Sequence, residues 1–222
     1  MKVKLTIAGL FSALLINAAS AEGPDVQGEV STRYTTDYHR RGAELSAEAI
    51  QAQVGFNVGL GSVDVFGDFF TNQSTGGSDI NTDELTIGLG TGLFDDNINA
   101  YLGVYNTDSD GSESTLEAFA AISGNYLLSP TISFYRDTDD NLNTFEGSLS
   151  HTFDLSVVDL KLTGNAGTTD VSTSTDYTYT GARATVSKDI NDSVNLYTDL
   201  AITDTDTRDN ETVWGMGLSV RF

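Results

Sequence analysis

The chain reads as an all-β protein, a transmembrane antiparallel up-and-down β-barrel of about 12 strands, and three observations predict it. From Ile50 to Leu60 every even position is apolar and every odd one is polar or glycine. A helix would need spacings of three and four, so this parity makes a strand with one apolar face. The same pattern recurs to the end of the chain. The connections between the alternating segments are by turns short and long, which is the asymmetry of outer-membrane barrels, with short turns on the periplasmic side and long loops outside.

Composition bounds the rest. The 222 residues carry 11 Lys+Arg against 32 Asp+Glu, a net charge of -21, with 39% hydrophobic residues and no cysteine. The apolar fraction is too high for a disordered acidic tail. Without cysteine there is no disulfide framework, thiol nucleophile or thiolate metal site. The acidity argues against nucleic acid, or an anionic surface recognised by charge, as partner.

The elements follow in order. Residues 1–21 open with Lys2 and Lys4, run apolar from Leu5 to Ile16, and end on the small residues Ala19, Ser20 and Ala21. That is a signal peptide cleaved after Ala21, its apolar run being short of the ~20 residues a spanning helix needs. Residues 22–222 form the barrel. After strands at 26–34 and 50–60 come 63–71, then one face with Leu85, Ile87, Leu89 and Leu93, and another with Ile98, Ala100, Leu102 and Val104. Leu116, Ala118, Ala120 and Ile122 share a face; 131–135 is a weaker strand; Phe145, Leu149 and His151 follow. Leu160 and Leu162, then Ala182, Ala184 and Val186, then Val194, Leu196, Leu200 and Ile202 mark three more. Trp214, Met216, Leu218, Val220 and Phe222 form the last, which resembles the signal strand read by the outer-membrane assembly machinery. Short turns fall at 61–62, 94–97, 129–130, 154–159 and 189–192. Long polar loops fall at 36–49, 72–82, 107–114, 137–143, 170–176 and 203–210.

A soluble β-sandwich would alternate too. The polar face here is rich in Gly, Ser, Thr, Asn and Tyr with few Lys, unlike a solvated outer surface, and the last strand is aromatic and apolar. Both features favour the barrel.

With the apolar parity facing lipid, the opposite parity places Glu29, Asp64, Asp68, Glu84, Glu117, Glu146 and Asp199 in the lumen with Arg33, Lys161, Arg183 and Arg221. Charge inside costs little, whereas near the bilayer midplane on the lipid face it costs about 2–4 kcal/mol. Seven acids against four bases predict a slight cation preference if the lumen conducts, and pairing across the lumen if it is closed. Phe66, Phe70, Tyr101, Tyr105, Phe119, Tyr135, Tyr179 and Tyr197 share the inner parity and narrow it. Asp37, Arg40 and Arg41, where the first strand enters the first long loop, are candidates for the extracellular mouth or for ion pairs that brace the loop.

Catalysis has little to build on. There are two histidines, no Gly-x-Ser-x-Gly elbow, no His-Glu-x-x-His and no phosphate loop. His39 beside Asp37 and near Ser46 leaves a lipid-modifying barrel enzyme as a distant third reading, and His151 has lipid-face parity. The acidic loop runs around Asp108, Asp137 to Asp140, and Asp204 lack the twelve-residue calcium-loop pattern, so no metal or cofactor is expected.

Tyr34, Thr35, Thr36, Asp37, Tyr38, His39, Arg40, Arg41 and Gly42, followed by Leu45 and Ser46, resemble the opening of the TorF-type porins of proteobacteria. In that family a first strand runs into a Ser/Thr-Asp-Tyr-x-x-Arg-Gly segment. Residues 128–137 (LSPTISFYRD) are similar to the family's mid-chain strand, while the second arginine at Arg41 and the acidity of the loops depart from it. The resemblance implies a small barrel of the Gram-negative outer membrane and passive solute passage, and it identifies no substrate. The expected function is therefore a porin-like channel for ions or small polar solutes, against a closed structural or surface-contact barrel. Expected partners are outer-membrane lipid and lipopolysaccharide, the assembly machinery and the solutes themselves. Oligomeric state is not encoded.

Overall fold

The computed structural model describes residues 25–41, 43–75, 80–172, 175–206 and 208–222. The export segment 1–21 lies outside the described residues, as does Gly42. Among the described residues there are fourteen strands: β1 Val26–Thr35, β2 Tyr38–Arg40, β3 Ala43–Ser46, β4 Ala49–Gly59, β5 Asp64–Ser74, β6 Thr82–Leu93 and β7 Ile98–Ser109. Then come β8 Thr115–Gly124, β9 Thr131–Asp137, β10 Asn143–Asp154, β11 Asp159–Ser172, β12 Thr175–Asp189, β13 Val194–Thr205 and β14 Arg208–Arg221. Twelve of them close an antiparallel barrel in which each strand pairs with its chain neighbour and β14 returns to β1; β2 and β3 form a separate two-stranded sheet.

Closure is continuous at the seam. Val30 lies opposite Val220 and Arg33 opposite Gly217, while Gly28 and Phe222 exchange backbone hydrogen bonds of 2.9 and 3.0 Å. The barrel therefore leaves no free sheet edge among the strands that form it, which is the condition for a β-structure to sit in hydrocarbon. A 12-residue strand such as β6 climbs roughly 31 Å at ~3.4 Å per residue and a tilt of ~40°. That clears an apolar band of about 25 Å.

The faces are inverted relative to a water-soluble protein. Ile87, Leu89, Leu102, Val104, Ile122, Ile132, Leu149, Leu196, Leu200 and Met216 are all exposed on the outside. The buried residues are mostly polar, among them Thr35, Gln51, Asn72, Thr82, Glu117, Ser133 and Asp199. Glycines let large inward side chains lie across the neighbouring strand: a Cβ at Gly103 would come within 2.6 Å of the Phe119 ring, and one at Gly217 within 2.6 Å of Tyr197.

Several boundaries differ from the sequence expectation. β11 runs to Ser172 and β12 begins at Thr175, and β7, β13 and β14 likewise extend into the polar segments expected as loops. Apolar alternation stops where the lipid stops, while Thr-rich polar sequence carries the ladder onward because β-branched residues suit it. The turn expected at 129–130 begins after Gly124, where β8 ends, and Ser129 N–H bonds Tyr126 O at 2.9 Å; β9 starts at Thr131 as expected and has 7 residues. The first long loop, 36–49, contains the β2–β3 hairpin.

Candidate functional site: a hairpin across the barrel lumen

Strands about 4.8 Å apart and tilted about 40° give a twelve-strand barrel a backbone radius of roughly 12 Å. One β-layer packs on another at about 10 Å. A hairpin near the axis can therefore touch the wall on every side through long side chains, and β2–β3 does so.

Tyr38 OH donates to Glu84 Oε1 on β6 at 2.6 Å, and its ring meets Phe70 of β5 at 5.3 Å. On the other side of the hairpin His39 Nε2 lies 3.1 Å from Glu211 of β14. Arg40 donates to Thr107 Oγ1 on β7 and to Glu117 Oε2 on β8, each at 2.8 Å. Arg41 donates to Glu117 Oε1 at 2.6 Å, so one carboxylate holds two guanidinium groups. These cations also cap rings, Arg40 at 4.5 Å above Tyr105 and Arg41 at 4.0 Å above Tyr135 of β9. Tyr177 OH of β12 donates to the Arg41 carbonyl at 2.8 Å. Arg41 adopts φ 49°, the left-handed region unfavourable to a side chain. Its ion pair, ring contact and carbonyl bond hold it there. Burial, followed by the charge of Glu84, pushes the Tyr38 phenol far above its ordinary value, so it remains a neutral donor.

A second network fixes the hairpin's return strand. Asn72 Nδ2 donates to Ser46 Oγ at 2.9 Å, and Asn72 Oδ1 accepts from Gln51 Nε2 at 3.0 Å. Gln51 Oε1 accepts from Arg33 Nη1 at 3.0 Å, and Arg33 reaches Asp199 through Nε at 3.0 Å and Nη2 at 2.6 Å. Arg183 Nη1 adds a third contact to Asp199 at 3.3 Å. The chain of bonds therefore runs from β13 through β1, β4 and β5 into β3.

The eleven charged residues expected inside all occupy the parity opposite the exposed apolar side chains. Glu84 and Glu117 meet the hairpin; Arg33, Arg183 and Asp199 form one cluster; Arg221 Nε pairs with Glu29 at 3.2 Å. Glu146 accepts from Tyr179 OH at 2.8 Å, and Asp68 from Gln53 Nε2 at 2.7 Å. Asp64 and Lys161 stand near the turn end of β5 and β11. Arg40 and Arg41 fold inward onto Glu117, and Asp37 lines the cavity beside them. Sequence reasoning did not bring the hairpin and its acceptors together. The available signal was a Tyr-x-Arg-Arg run inside an otherwise polar loop, which a solvated loop has no need of. His151, on the outer face, contacts Leu127 O at 2.6 Å, while His39 and Ser46 engage the different partners given above.

Space remains on both sides of the hairpin. One cavity of about 400 Å³ lies toward β12 and β13, lined by Arg33, Arg183, Asp199, Tyr179 and Tyr197. Another of about 420 Å³ lies toward β5 to β9, lined by Phe66, Tyr101, Tyr105, Phe119 and Tyr135.

A closed antiparallel barrel with a bare apolar belt and a polar interior defines an outer-membrane β-barrel. No family model and no curated protein matches the sequence. Among solved structures the fold is similar to the KdgM porin, with a TM-score of 0.59 at 11% identity over 87% of this chain and 99% of that one. It is also similar to the COG4313 outer membrane channel from Pseudomonas putida F1, with a TM-score of 0.55 at 12% identity over 91% and 97%. The NanC porin gives 0.53 at 12% identity over 87% and 98%. At such identities the likeness is one of fold, and these neighbours are porins and channels.

Proposed function

We propose that this chain is a narrow passive channel of the bacterial outer membrane, passing ions or small polar solutes through a lumen constricted by the β2–β3 hairpin. The observation that carries the reading is the hairpin itself. It spans the lumen on ion pairs and hydrogen bonds while polar and aromatic cavities stay open beside it. The seven acids and four bases expected inside are joined by Arg40 and Arg41 of the hairpin, by Asp37 on the cavity and by Glu211 opposite His39, which leaves the acids in slight excess and the cation preference slight. On this reading 1–21 directs export, the last strand recruits the assembly machinery, and lipid and lipopolysaccharide surround the belt. Membership of the TorF-type porins fits the same picture. Passage of this kind requires no catalytic group.

A second reading, a closed structural or surface-contact barrel, is favoured by the number of strands to which the hairpin is anchored. Single-channel current from refolded protein in a planar bilayer under a salt gradient separates the two. Discrete steps with a small cation-directed reversal potential are expected. Silence from protein shown to be folded and inserted would establish the closed barrel instead.

A further inference from the structure

The lumen wall toward β5 to β9 is unusual for a path meant only for ions. Five aromatic side chains from four strands point inward there: Phe66, Tyr101, Tyr105, Phe119 and Tyr135. Four of them touch in series, with centroid separations of 5.9 Å for Phe66–Tyr101, 6.3 Å for Phe66–Phe119 and 5.9 Å for Phe119–Tyr135, and Tyr105 lies under Arg40. Phe66 and Phe119 extend over Gly88 and Gly103, positions where a Cβ would collide with their rings. The rings are thereby laid along the wall rather than filling the axis, and a cavity of about 420 Å³ stands in front of them.

We infer that this aromatic wall is a binding site for a neutral saccharide, which rests on the reading of the lumen as water-filled. A pyranose ring offers an apolar C–H face to an aromatic ring and hydroxyls to polar groups around it. The site supplies both. Phe66, Tyr101 and Phe119 form the apolar floor, and Arg40, Arg41, Thr86 and Glu146 line the same cavity. Charge selects for neutrality: Arg40 and Arg41 are already held by Glu117, and Glu146 accepts from Tyr179. An anionic ligand would have to displace Glu117 from those guanidinium groups, and a purely apolar one would strip water from the Thr86, Tyr101 and Tyr135 hydroxyls on the same lining with nothing in exchange.

The test measures binding directly, so that it does not depend on conductance. Saturation-transfer NMR on the detergent-folded full barrel uses maltotriose as probe, with a polyethylene glycol of similar size as control. Transfer to the sugar ring protons and none to the glycol is expected, with at least a tenfold loss of affinity in the F66A/F119A double variant. A G217-side control, Tyr197→Phe in the other cavity, should leave binding unchanged. Equal transfer to both probes, or full maltotriose binding in F66A/F119A protein that is folded by heat-modifiable gel mobility, would overturn the inference. A silent bilayer with intact maltotriose binding would instead count against the channel reading alone.

Discussion

Glu117→Gln isolates the charge that holds the hairpin. The substitution keeps the size of the side chain and a carbonyl acceptor, but removes the one carboxylate shared by Arg40 and Arg41. Glu117 has a side chain only 9% exposed and contacts the two guanidinium groups at 2.8 and 2.6 Å. Charge centres about 4 Å apart attract by about 4 kcal/mol at an effective dielectric near 20. Desolvation offsets much of that, yet deleting one partner of a buried pair leaves the other uncompensated and costs about 3–5 kcal/mol. In E117Q two adjacent cations remain, with Glu84 4.0 Å from Arg40 as the nearest carboxylate. A loss of about 3 kcal/mol shifts the held-to-released ratio of the hairpin about 100-fold, since each 1.4 kcal/mol is tenfold. Single-channel recording should show larger and noisier conductance than the native protein, and hydrogen exchange should accelerate across Tyr38 to Ser46. Identical traces and identical exchange would refute the argument that these ion pairs position the constriction.

Tyr38→Phe keeps the ring against Phe70 but loses the bond to Glu84; a hydrogen bond to a charged group is worth about 1.5–3 kcal/mol, so channel noise should rise by less than in E117Q. Asp64→Asn with Asp68→Asn removes two of the seven inner acids, and the reversal potential under a salt gradient should move toward anion preference. Gly103→Val puts a side chain where even a Cβ would come within 2.6 Å of Phe119 and nearer still to the Ile87 carbonyl. Overpacking of that kind costs about 1–3 kcal/mol, and the heat-modifiable folded fraction should fall on semi-native gels.

Most of the wall was legible in the sequence because a strand with lipid on one side and water on the other must alternate at every position. Val54, Leu85 and Leu116 mark one face, and their neighbours Gln53, Glu84 and Glu117 mark the other. The hairpin was not legible. β2 has 3 residues and β3 has 4, too few for a period to show. Their place is set by side chains far along the chain: Glu84, Glu117, Tyr177 and Glu211 each meet the hairpin from a different strand. Parity showed that Glu84 and Glu117 face inward, but not that a loop returns to neutralise them. The same limit applies to strand ends, where Ser172 and Thr175 extend the ladder with polar residues that carry no apolar mark.

The most direct test of the account compares single-channel currents of the native protein with a variant in which residues 37–47 are replaced by a short Gly-Ser link. The barrel wall is complete without the hairpin, so both proteins should insert and fold. The native protein should give small discrete steps and the variant steps several-fold larger, with little change in ion preference. Steps of the same size in both would contradict the claim that the hairpin sets the constriction, and silence from both would contradict the channel itself.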